Sequence, residues 1–414
     1  MHGGRGDVAG RLALGIVTGL RASLGSIASR LYPGLDERIF NRRRDAEMRA
    51  DIAAGGYGEA LADLPSPVEG RPPHLVVIPQ VGPDVESWKP AGGNFLFEIA
   101  QGARELFGDD RVSIFAVGGE EPAADWHQRL IRHLVDTGAT HVIAQVEADP
   151  NTGQKKYSWD VLWSQLHPRW DGVFLGLVTD SYFTWIRAGA RRLARMSPRF
   201  MLVDICMPMD GVLVAGRPEV GPVNMPVSDA SLAVIDAECS GASREYDVTF
   251  IGTLYPYRVE MLEEIKATGA NVAVNPHREV PATDYASSRV FVPSYVDYMK
   301  ALAQSRITIN FAQANAGSHQ QLKTRILEAA AMGCLVLTDD VDRTDRFWVP
   351  EQEYGYFASR EDLPRVVESW LADPERLERA RLAGQRRARE INVSSFWGGI
   401  DEGLSRRGLA GFRD

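Results

Sequence analysis

Residues 305–340 read SRITINFAQANAGSHQQLKTRILEAAAMGCLVLTDD, and this stretch is the most informative about the fold. It predicts a short apolar strand, a polar loop, an amphipathic helix that ends at Gly333, and a second apolar strand. Short buried strands that alternate with helices indicate a parallel sheet covered on both faces. Ligands of such sheets bind beyond the carboxyl ends of the strands, so a site is expected at the polar loop and the helix start.

The same alternation occurs in two series along the 414-residue chain. It weakens between residues 207 and 242 and then restarts, which predicts two Rossmann-like α/β domains facing a cleft. We expect four parts: an N-terminal helical extension (1–70), a first domain (71–235), a second domain (236–395) and a last helix that crosses back to the first domain (396–414).

Composition narrows the class of protein. Hydrophobic residues make up 44% and charged residues 24% of the chain, the balance of a globular protein. The formal net charge of −9 argues against a nucleic-acid partner, because phosphate backbones are bound by basic faces. The three cysteines, Cys206, Cys239 and Cys334, have no metal-ligand or redox spacing. They favour a reducing compartment, so the cytoplasm is the expected location.

The first thirty residues carry an apolar stripe. Leucines and isoleucines recur at steps of three and four from Leu12 to Leu31, which predicts an amphipathic helix. No stretch reaches the roughly 18 apolar residues of a membrane span. We expect this helix to pack on the body of the protein or on a second copy in a homodimer; peripheral contact with the inner membrane face is the alternative.

Charged residues cluster at the start of the predicted helix within 305–340. The first turn of a helix offers free N–H groups and a positive dipole end, which suit a diphosphate. Lys323 and Arg325 would add charge-assisted hydrogen bonds. Glu328, one turn further, would accept hydrogen bonds from a ribose diol, as acidic residues do in other nucleotide sites. The alternative is a surface helix whose charges are solvated.

The run QLKTRILEAAAMGCLVLT at 321–338 resembles the donor-site signature of family 4-like GT-B glycosyltransferases, also called glycosyl transferases group 1. The run DVTFIGTLYPYR at 247–258 resembles the opening strand and loop of their C-terminal domain, and the branch that looks most similar is that of CgeB-like spore-maturation proteins. The resemblance is good over residues 245–400 and weaker over 75–235. It implies the GT-B arrangement, with the first domain on the acceptor side and the second domain on the donor side of the cleft. It also implies transfer of a sugar from a nucleotide sugar, with UDP or GDP as the expected carrier and no separate cofactor.

The resemblance also assigns roles. It implies that Arg258 and Lys323 neutralise the diphosphate as catalytic residues, helped by Arg325, while Glu328 binds the ribose. The loop Gly252-Thr253 would bring backbone close to phosphate. The family commonly has a second glutamate ahead of the ribose-binding one, and here that position is Gln320. An amide can hydrogen-bond a sugar hydroxyl but cannot act as a carboxylate. The family implies retention of anomeric configuration without a metal ion.

Further candidates lie outside this signature. Gly92, Gly93 and Asn94 precede a predicted helix and form either a cleft loop near the ligand or a tight turn. Asp180 follows an apolar strand and is either a base for the acceptor hydroxyl or a helix N-cap. His319 precedes the donor helix and could contact phosphate or sugar, or be an exposed imidazole.

Two patterns are expected to be structural. Asp340-Val341-Asp342 spells the D-x-D of metal-bound diphosphate sites, but we expect a solvated turn there. Trp159, Trp163 and Trp170 could form a sugar-stacking surface, but aromatic residues at helical spacing more often belong to a core.

Two other function classes remain open from the sequence. A catalytically silent GT-B scaffold would bind a nucleotide or a partner protein without turnover. A UDP-sugar epimerase of GT-B fold would interconvert sugar nucleotides without an acceptor. The expected function is nonetheless sugar transfer to an acceptor hydroxyl on a glycan, lipid or protein.

Overall fold

The computed structural model describes residues 35–64, 70–79, 85–118, 122–146, 157–179, 184–205, 220, 223–276, 294–313 and 322–412. The amphipathic helix expected before residue 35 lies outside these residues, as do Asp180, His319 and Gln320.

The first domain is a five-stranded parallel sheet with helices on both faces, preceded by two helices of the N-terminal extension. Its elements are α1 (Leu35–Ala54), α2 (Tyr57–Ala62), β1 (Leu75–Ile78), α3 (Phe95–Phe107), β2 (Val112–Ile114), α4 (Trp126–Thr137), β3 (His141–Gln145), α5 (Trp159–Leu166), β4 (Val173–Val178), α6 (Thr184–Met196) and β5 (Phe200–Asp204). A short 3-10 turn, Asp109–Arg111, precedes β2.

The second domain repeats this plan. Its elements are α7 (Asp229–Cys239), β6 (Tyr246–Phe250), α8 (Pro256–Ala267), β7 (Val272–Val274), α9 (Tyr295–Ala303), β8 (Ser305–Asn310), α10 (Arg325–Ala331), β9 (Leu335–Thr338), α11 (Val341–Thr344), β10 (Gly355–Tyr356), α12 (Leu363–Leu371) and α13 (Pro374–Arg406). Two parallel-sheet α/β domains are therefore present, and the predicted fold class is confirmed.

Both sheets have the same topology. The strand orders are β2-β1-β3-β4-β5 and β10-β9-β8-β6-β7, and every pair is parallel. Numbered within its own domain, each sheet has the order 2-1-3-4-5. In that order the chain reverses direction across the sheet between the first and third strands, where ligands of doubly wound sheets bind. In the second domain this point lies between β6 and β8.

The central strands of the two sheets are largely buried on both faces, as their sequences predict. All four residues of β1 and all six of β4 are buried, because helices cover both sides. Trp159, Trp163 and Trp170 pack in the first-domain core at 5% exposure or less, which confirms the core interpretation. The predicted boundary at residue 235 falls inside α7, whereas membership of the two cores changes between Met225 and Val227.

Helix α13 serves both domains. Leu377 and Ala380 near its start pack in the second-domain core. Its later apolar residues pack in the first-domain core: Val393, Phe396, Trp397, Ile400 and Leu404. The crossing segment, expected at 396–414, is thus the second half of one 33-residue helix.

A buried ionic cluster attaches α1 to the first domain. The carboxylate of Asp160 on α5 accepts hydrogen bonds from Arg44 on α1 at 2.7 Å and from Arg192 on α6 at 2.9 Å. All three side chains are buried. Because an unpaired buried charge is costly, this arrangement fixes how the three helices meet.

Helix α3 of the first domain caps helix α7 of the second. The carboxylate of Glu98 accepts hydrogen bonds from the N–H and hydroxyl of Ser228 and from the hydroxyl of Ser231, each at 2.7 Å. Two turns further along α3, Glu105 accepts hydrogen bonds from the backbone N–H groups of the two residues between Ser228 and Ser231, at 2.9 and 3.0 Å. Carboxylates stabilise helix N-termini, where N–H groups lack intrahelical partners. We call Glu98, Glu105, Ser228 and Ser231 the interdomain clamp.

Among the described helices, none has the length and hydropathy needed to cross a bilayer.

The clamp leads to a prediction on stability. Glu98→Ala leaves three buried donors of Ser228 and Ser231 without an acceptor, and such groups cost about 1–3 kcal/mol each. We expect urea unfolding to show a loss of at least roughly 3 kcal/mol. The control is Glu105→Ala, because Glu105 is exposed and water replaces its bonds, for a loss of less than about 1 kcal/mol. Equal losses in the two variants would contradict the buried role of Glu98.

Candidate functional site

A cavity of about 380 Å³ lies between the two domains. One side of the cavity is lined by residues of the first domain and of the segment that connects it to the second: Gly93, Phe95, Glu98, Thr179, Ile205, Met225, Pro226 and Val227. Its lining from the second domain comprises Tyr295, Leu322, Lys323, Thr324 and Glu328. Of the residues predicted for the site, the cavity therefore brings together Gly93, Lys323 and Glu328.

Glu328 is held by two tyrosines of α9. The Tyr295 hydroxyl donates to Oε1 at 2.9 Å and the Tyr298 hydroxyl donates to Oε2 at 2.7 Å. Burial raises the pKa of Glu328 from its ordinary range, while the two hydroxyls oppose that shift. Each carboxylate oxygen has a second lone pair. The carboxylate is thus fixed in position and retains the capacity to accept from ligand hydroxyls.

Arg325, the first residue of α10, packs against Gly252 beyond the carboxyl end of β6. Its Cζ atom lies 5.5 Å from the centre of the Phe250 ring, and a Cβ atom on residue 252 would lie 2.9 Å from its Nη2. Within the described part of the chain, Arg325 Nε is buried without a hydrogen-bond partner. A buried donor on a permanently charged group is suited to an anionic ligand.

The N–H of Gly252 is already engaged, since it donates to Asn275 Oδ1 at 2.8 Å. Its φ of +149° is one that side chains rarely adopt. Gly252 therefore serves Arg325 by lacking a side chain, whereas the sequence suggested that its amide would approach a phosphate.

Arg258 lies in the first turn of α8, one element beyond the loop where the sequence placed it. Its guanidinium donates to the Tyr257 hydroxyl and to the carbonyl oxygens of Thr253 and Gln313, at 2.9–3.0 Å. Burial lowers the pKa of Arg258, and repulsion from Arg325 adds to this shift. The two carbonyls follow β6 and β8, so Arg258 joins the loops at the reversal point of the second sheet. Two of its five N–H groups remain beyond these three bonds.

The predicted cleft loop combines turn geometry with a domain contact. Asn94 caps α3, its Oδ1 accepting from the N–H groups of Leu96 and Phe97. Gly92 needs to be glycine because a Cβ there would lie 2.2 Å from the Ser87 carbonyl oxygen. Gly93, with φ +77°, packs across the domain boundary, where a Cβ would lie 3.0 Å from Cβ of Tyr295. Turn chemistry accounts for Gly92 and Asn94, and Gly93 reaches the cavity.

Helix α10 is shorter than the helix that the sequence predicted to begin with Lys323 and Arg325 in its first turn. It begins at Arg325, so Lys323 lies in the segment that precedes it and lines the cavity from there. Gly333 ends the helical segment with φ +63°, as its position predicts.

The expectation of a solvated turn at the D-x-D stretch is wrong. Asp340 is 1% exposed and forms an ion pair with Arg343 at 2.9 Å, and α11 begins at the next residue. The pairing offsets the charge of the carboxylate, as expected for a buried ionised group.

Sequence reasoning missed several residues that line the cavity or hold Glu328. Glu98 was hidden in the amphipathic pattern of α3, and Tyr295 and Tyr298 lie about thirty residues from the glutamate they contact. The only available signal was their i, i+3 spacing on one helix face. The apolar residues that follow β5 and precede α7 gave no chemical signal.

Comparison with known proteins adds one family and several structures. Residues 245–392 match the family described as glycosyl transferase-like. HepE of Anabaena, in complex with UDP and glucose, is similar at 13% identity over 80% of this chain and 99% of that chain, with a TM-score of 0.49. Sucrose-phosphate synthase of Thermosynechococcus elongatus is similar at 12% identity over 82% and 99%, with a TM-score of 0.46.

T4 phage BGT, in complex with UDP and Mn²⁺, is similar at 12% identity over 81% of this chain and 100% of that chain, with a TM-score of 0.44. No curated protein matches the sequence. At such identities and TM-scores these likenesses carry no functional argument. The second domain, from β6 into α13, is the part of the chain that resembles glycosyl transferase-like proteins.

Proposed function

We propose that this chain is a glycosyltransferase that moves a sugar from a nucleotide-sugar donor to an acceptor hydroxyl. The observation that carries the proposal is the oriented carboxylate of Glu328 beside Lys323 in an interdomain cavity, with the buried Nε atom of Arg325 one helical turn away. The match of the second domain to the glycosyl transferase-like family supports it. The resemblance to the CgeB-like branch is a finer part of the same proposal.

In this proposal the second domain binds the donor, a UDP- or GDP-sugar. Glu328 accepts hydrogen bonds from the ribose hydroxyls with the lone pairs that the tyrosines leave open. Arg325 and Lys323 contact the diphosphate. Arg258 shapes the loops after β6 and β8 through its carbonyl contacts, and its remaining N–H groups face the same anion.

The transfer step is a substitution at the anomeric carbon. The acceptor oxygen forms a bond to this carbon while the bond to the diphosphate oxygen breaks, its electron pair leaving with the diphosphate. The acceptor proton passes to the departing diphosphate. Fixed cations stabilise the charge that develops, and losing one such group typically costs about 3 kcal/mol of barrier height. We propose retention of anomeric configuration, on the resemblance of 321–338 to family 4 enzymes.

We further propose that no divalent metal or separate cofactor takes part, because Arg258, Lys323 and Arg325 supply positive charge at the leaving group. The two described cysteines, Cys239 and Cys334, are unpaired, which suits the cytoplasm.

One assay separates the proposal from its alternatives. The purified chain is incubated with UDP-glucose, UDP-N-acetylglucosamine or GDP-mannose, and free nucleotide and sugar products are measured. Released nucleoside diphosphate supports transfer, with water as the default acceptor. Nucleotide binding without turnover would indicate a silent scaffold, and a changed sugar still joined to UDP would indicate an epimerase.

Glu328→Ala is expected to weaken UDP or GDP binding. The variant loses hydrogen bonds to a charged acceptor, worth about 1.5–3 kcal/mol, or roughly ten- to hundredfold in Kd. Isothermal titration calorimetry measures the change. The control is Glu368→Ala, since Glu368 is exposed on α12 away from the cavity. Unchanged affinities in Glu328→Ala would remove the donor site from this helix.

Gly252→Ala is expected to weaken binding through the diphosphate alone. The new methyl group meets Arg325 Nη2, so UDP affinity falls about tenfold, or ~1.4 kcal/mol, while uridine affinity is retained. Gly241→Ala is the control, because Gly241 also has a positive φ, +76°, but has open space around it. If uridine and UDP lose affinity equally, Arg325 does not contact the diphosphate.

Turnover is expected to be unaffected by EDTA, because the protein's own cations stabilise the leaving group. The measurement is UDP or GDP release before and after chelation. Activity that disappears with EDTA and returns with Mn²⁺ would refute metal independence.

A further inference from the structure

The two walls of the interdomain cavity differ in chemistry. The second-domain wall carries the ammonium of Lys323, the carboxylate of Glu328 and the hydroxyls of Tyr295 and Thr324. The opposite wall is mainly apolar and consists of Phe95, Ile205, Met225, Pro226 and Val227. We call these five residues the apolar wall.

The apolar wall is continuous with the packed interior. Ile205 and Met225 belong to the same core cluster as the strands of the first sheet, and Val227 belongs to the core of the second domain. All three are less than 10% exposed, so their positions are fixed by packing. The wall is therefore preformed.

Polar groups are few among the described residues on this side. Thr179 and Glu98 are the polar residues among its described lining. The Glu98 carboxylate already accepts three hydrogen bonds from the serines of the interdomain clamp, which leaves one of its roughly four lone-pair positions. The described residues of this side can thus satisfy a small number of hydroxyl groups.

This balance discriminates between classes of acceptor. A sugar ring placed against the apolar wall would bury several hydroxyls without partners, at about 1–3 kcal/mol each. An aromatic or aliphatic body instead gains about 25 cal/mol for each Å² of apolar surface removed from water. Ligand sites use a few polar groups to orient an otherwise apolar molecule, and this cavity fits that pattern.

We propose that the acceptor is a hydroxyl compound with an apolar body, such as a phenol or a lipid alcohol, rather than an oligosaccharide. This rests on the proposed transferase function, because the second-domain wall is then occupied by the donor. The acceptor oxygen attacks the anomeric carbon from the first-domain side, its apolar body lying on Phe95, Ile205 and Met225. The bonds made and broken are those of the transfer step given above.

The test is an acceptor panel with the full chain and whichever of UDP-glucose, UDP-N-acetylglucosamine and GDP-mannose it hydrolyses. The acceptors are 4-methylumbelliferone for aromatic bodies, n-octanol for aliphatic ones, and maltose and cellobiose for oligosaccharides. We expect kcat/KM for one of the apolar acceptors to exceed that for both disaccharides by roughly tenfold or more. Comparison of 4-methylumbelliferone with n-octanol shows whether the preferred acceptor has an aromatic or an aliphatic body.

Variants test whether the wall is responsible. Ile205→Asn and, separately, Met225→Gln are expected to lower the ratio of transfer to hydrolysis about tenfold for the preferred apolar acceptor. Val234→Asn, an exposed apolar position on α7 outside the cavity, should leave this ratio unchanged. Thermal unfolding shows whether each variant folds. If a variant does not fold, the acceptor panel with the wild-type chain tests the acceptor class by itself.

The outcomes separate the two proposals. Efficient transfer to a disaccharide, or donor hydrolysis without transfer to either apolar compound, overturns the acceptor class and leaves the transferase function standing. Absence of both hydrolysis and nucleotide binding overturns both.

Discussion

The interdomain clamp is the contact on which the site depends. The start of α7 has N–H groups that no turn of its own helix can satisfy, and α3 of the other domain supplies carboxylates to them. Burial raises the pKa of Glu98, which reflects the cost of placing this carboxyl group in the interior. Glu98 lines the cavity together with Gly93 at the start of α3 and Tyr295 at the start of α9. Gly93 packs against Tyr295, so the two helix starts meet at the cavity.

Topology explains why the charged residues converge. Parallel strands end at one edge of a sheet, so loops that are distant in sequence meet there. In the second domain the loops after β6 and β8 are joined by Arg258, and α10 begins beside them with Arg325. Aromatic rings of Phe250 and Tyr255 lie near the Arg258 guanidinium, with centres 5.6 and 4.6 Å from its Cζ. The second-domain side of the site is therefore polar, and backbone carbonyls and aromatic rings hold its arginines in place. The described residues on the first-domain side are mainly apolar.

The extent to which sequence predicted this molecule follows from the range of each interaction. The two series of alternating strands and helices, the stop at Gly333 and the core tryptophans depend on local pattern, and they were predicted. Glu328 was singled out because its helix carries a recognisable signature, and it lines the cavity. The tyrosines that orient it, the clamp at Glu98 and the buried pair of Asp340 with Arg343 depend on which side chains face each other after folding. Periodicity contains no such information, so a buried ion pair and a solvated turn look alike in one sequence.

Helix α13 has a consequence for the order in which the chain acquires structure. Phe396, Trp397 and Leu404 complete the hydrophobic core of the first domain, together with Phe412, whose ring stacks 5.0 Å from that of Phe107. Domains usually fold from the N-terminus as synthesis proceeds. Here the first domain is translated first, yet the α13 residues that cover one face of its sheet follow the second domain in the chain. The nascent first domain therefore keeps an apolar face open to solvent until the second domain has been translated, and its native core closes only when α13 has followed that domain out of the ribosome.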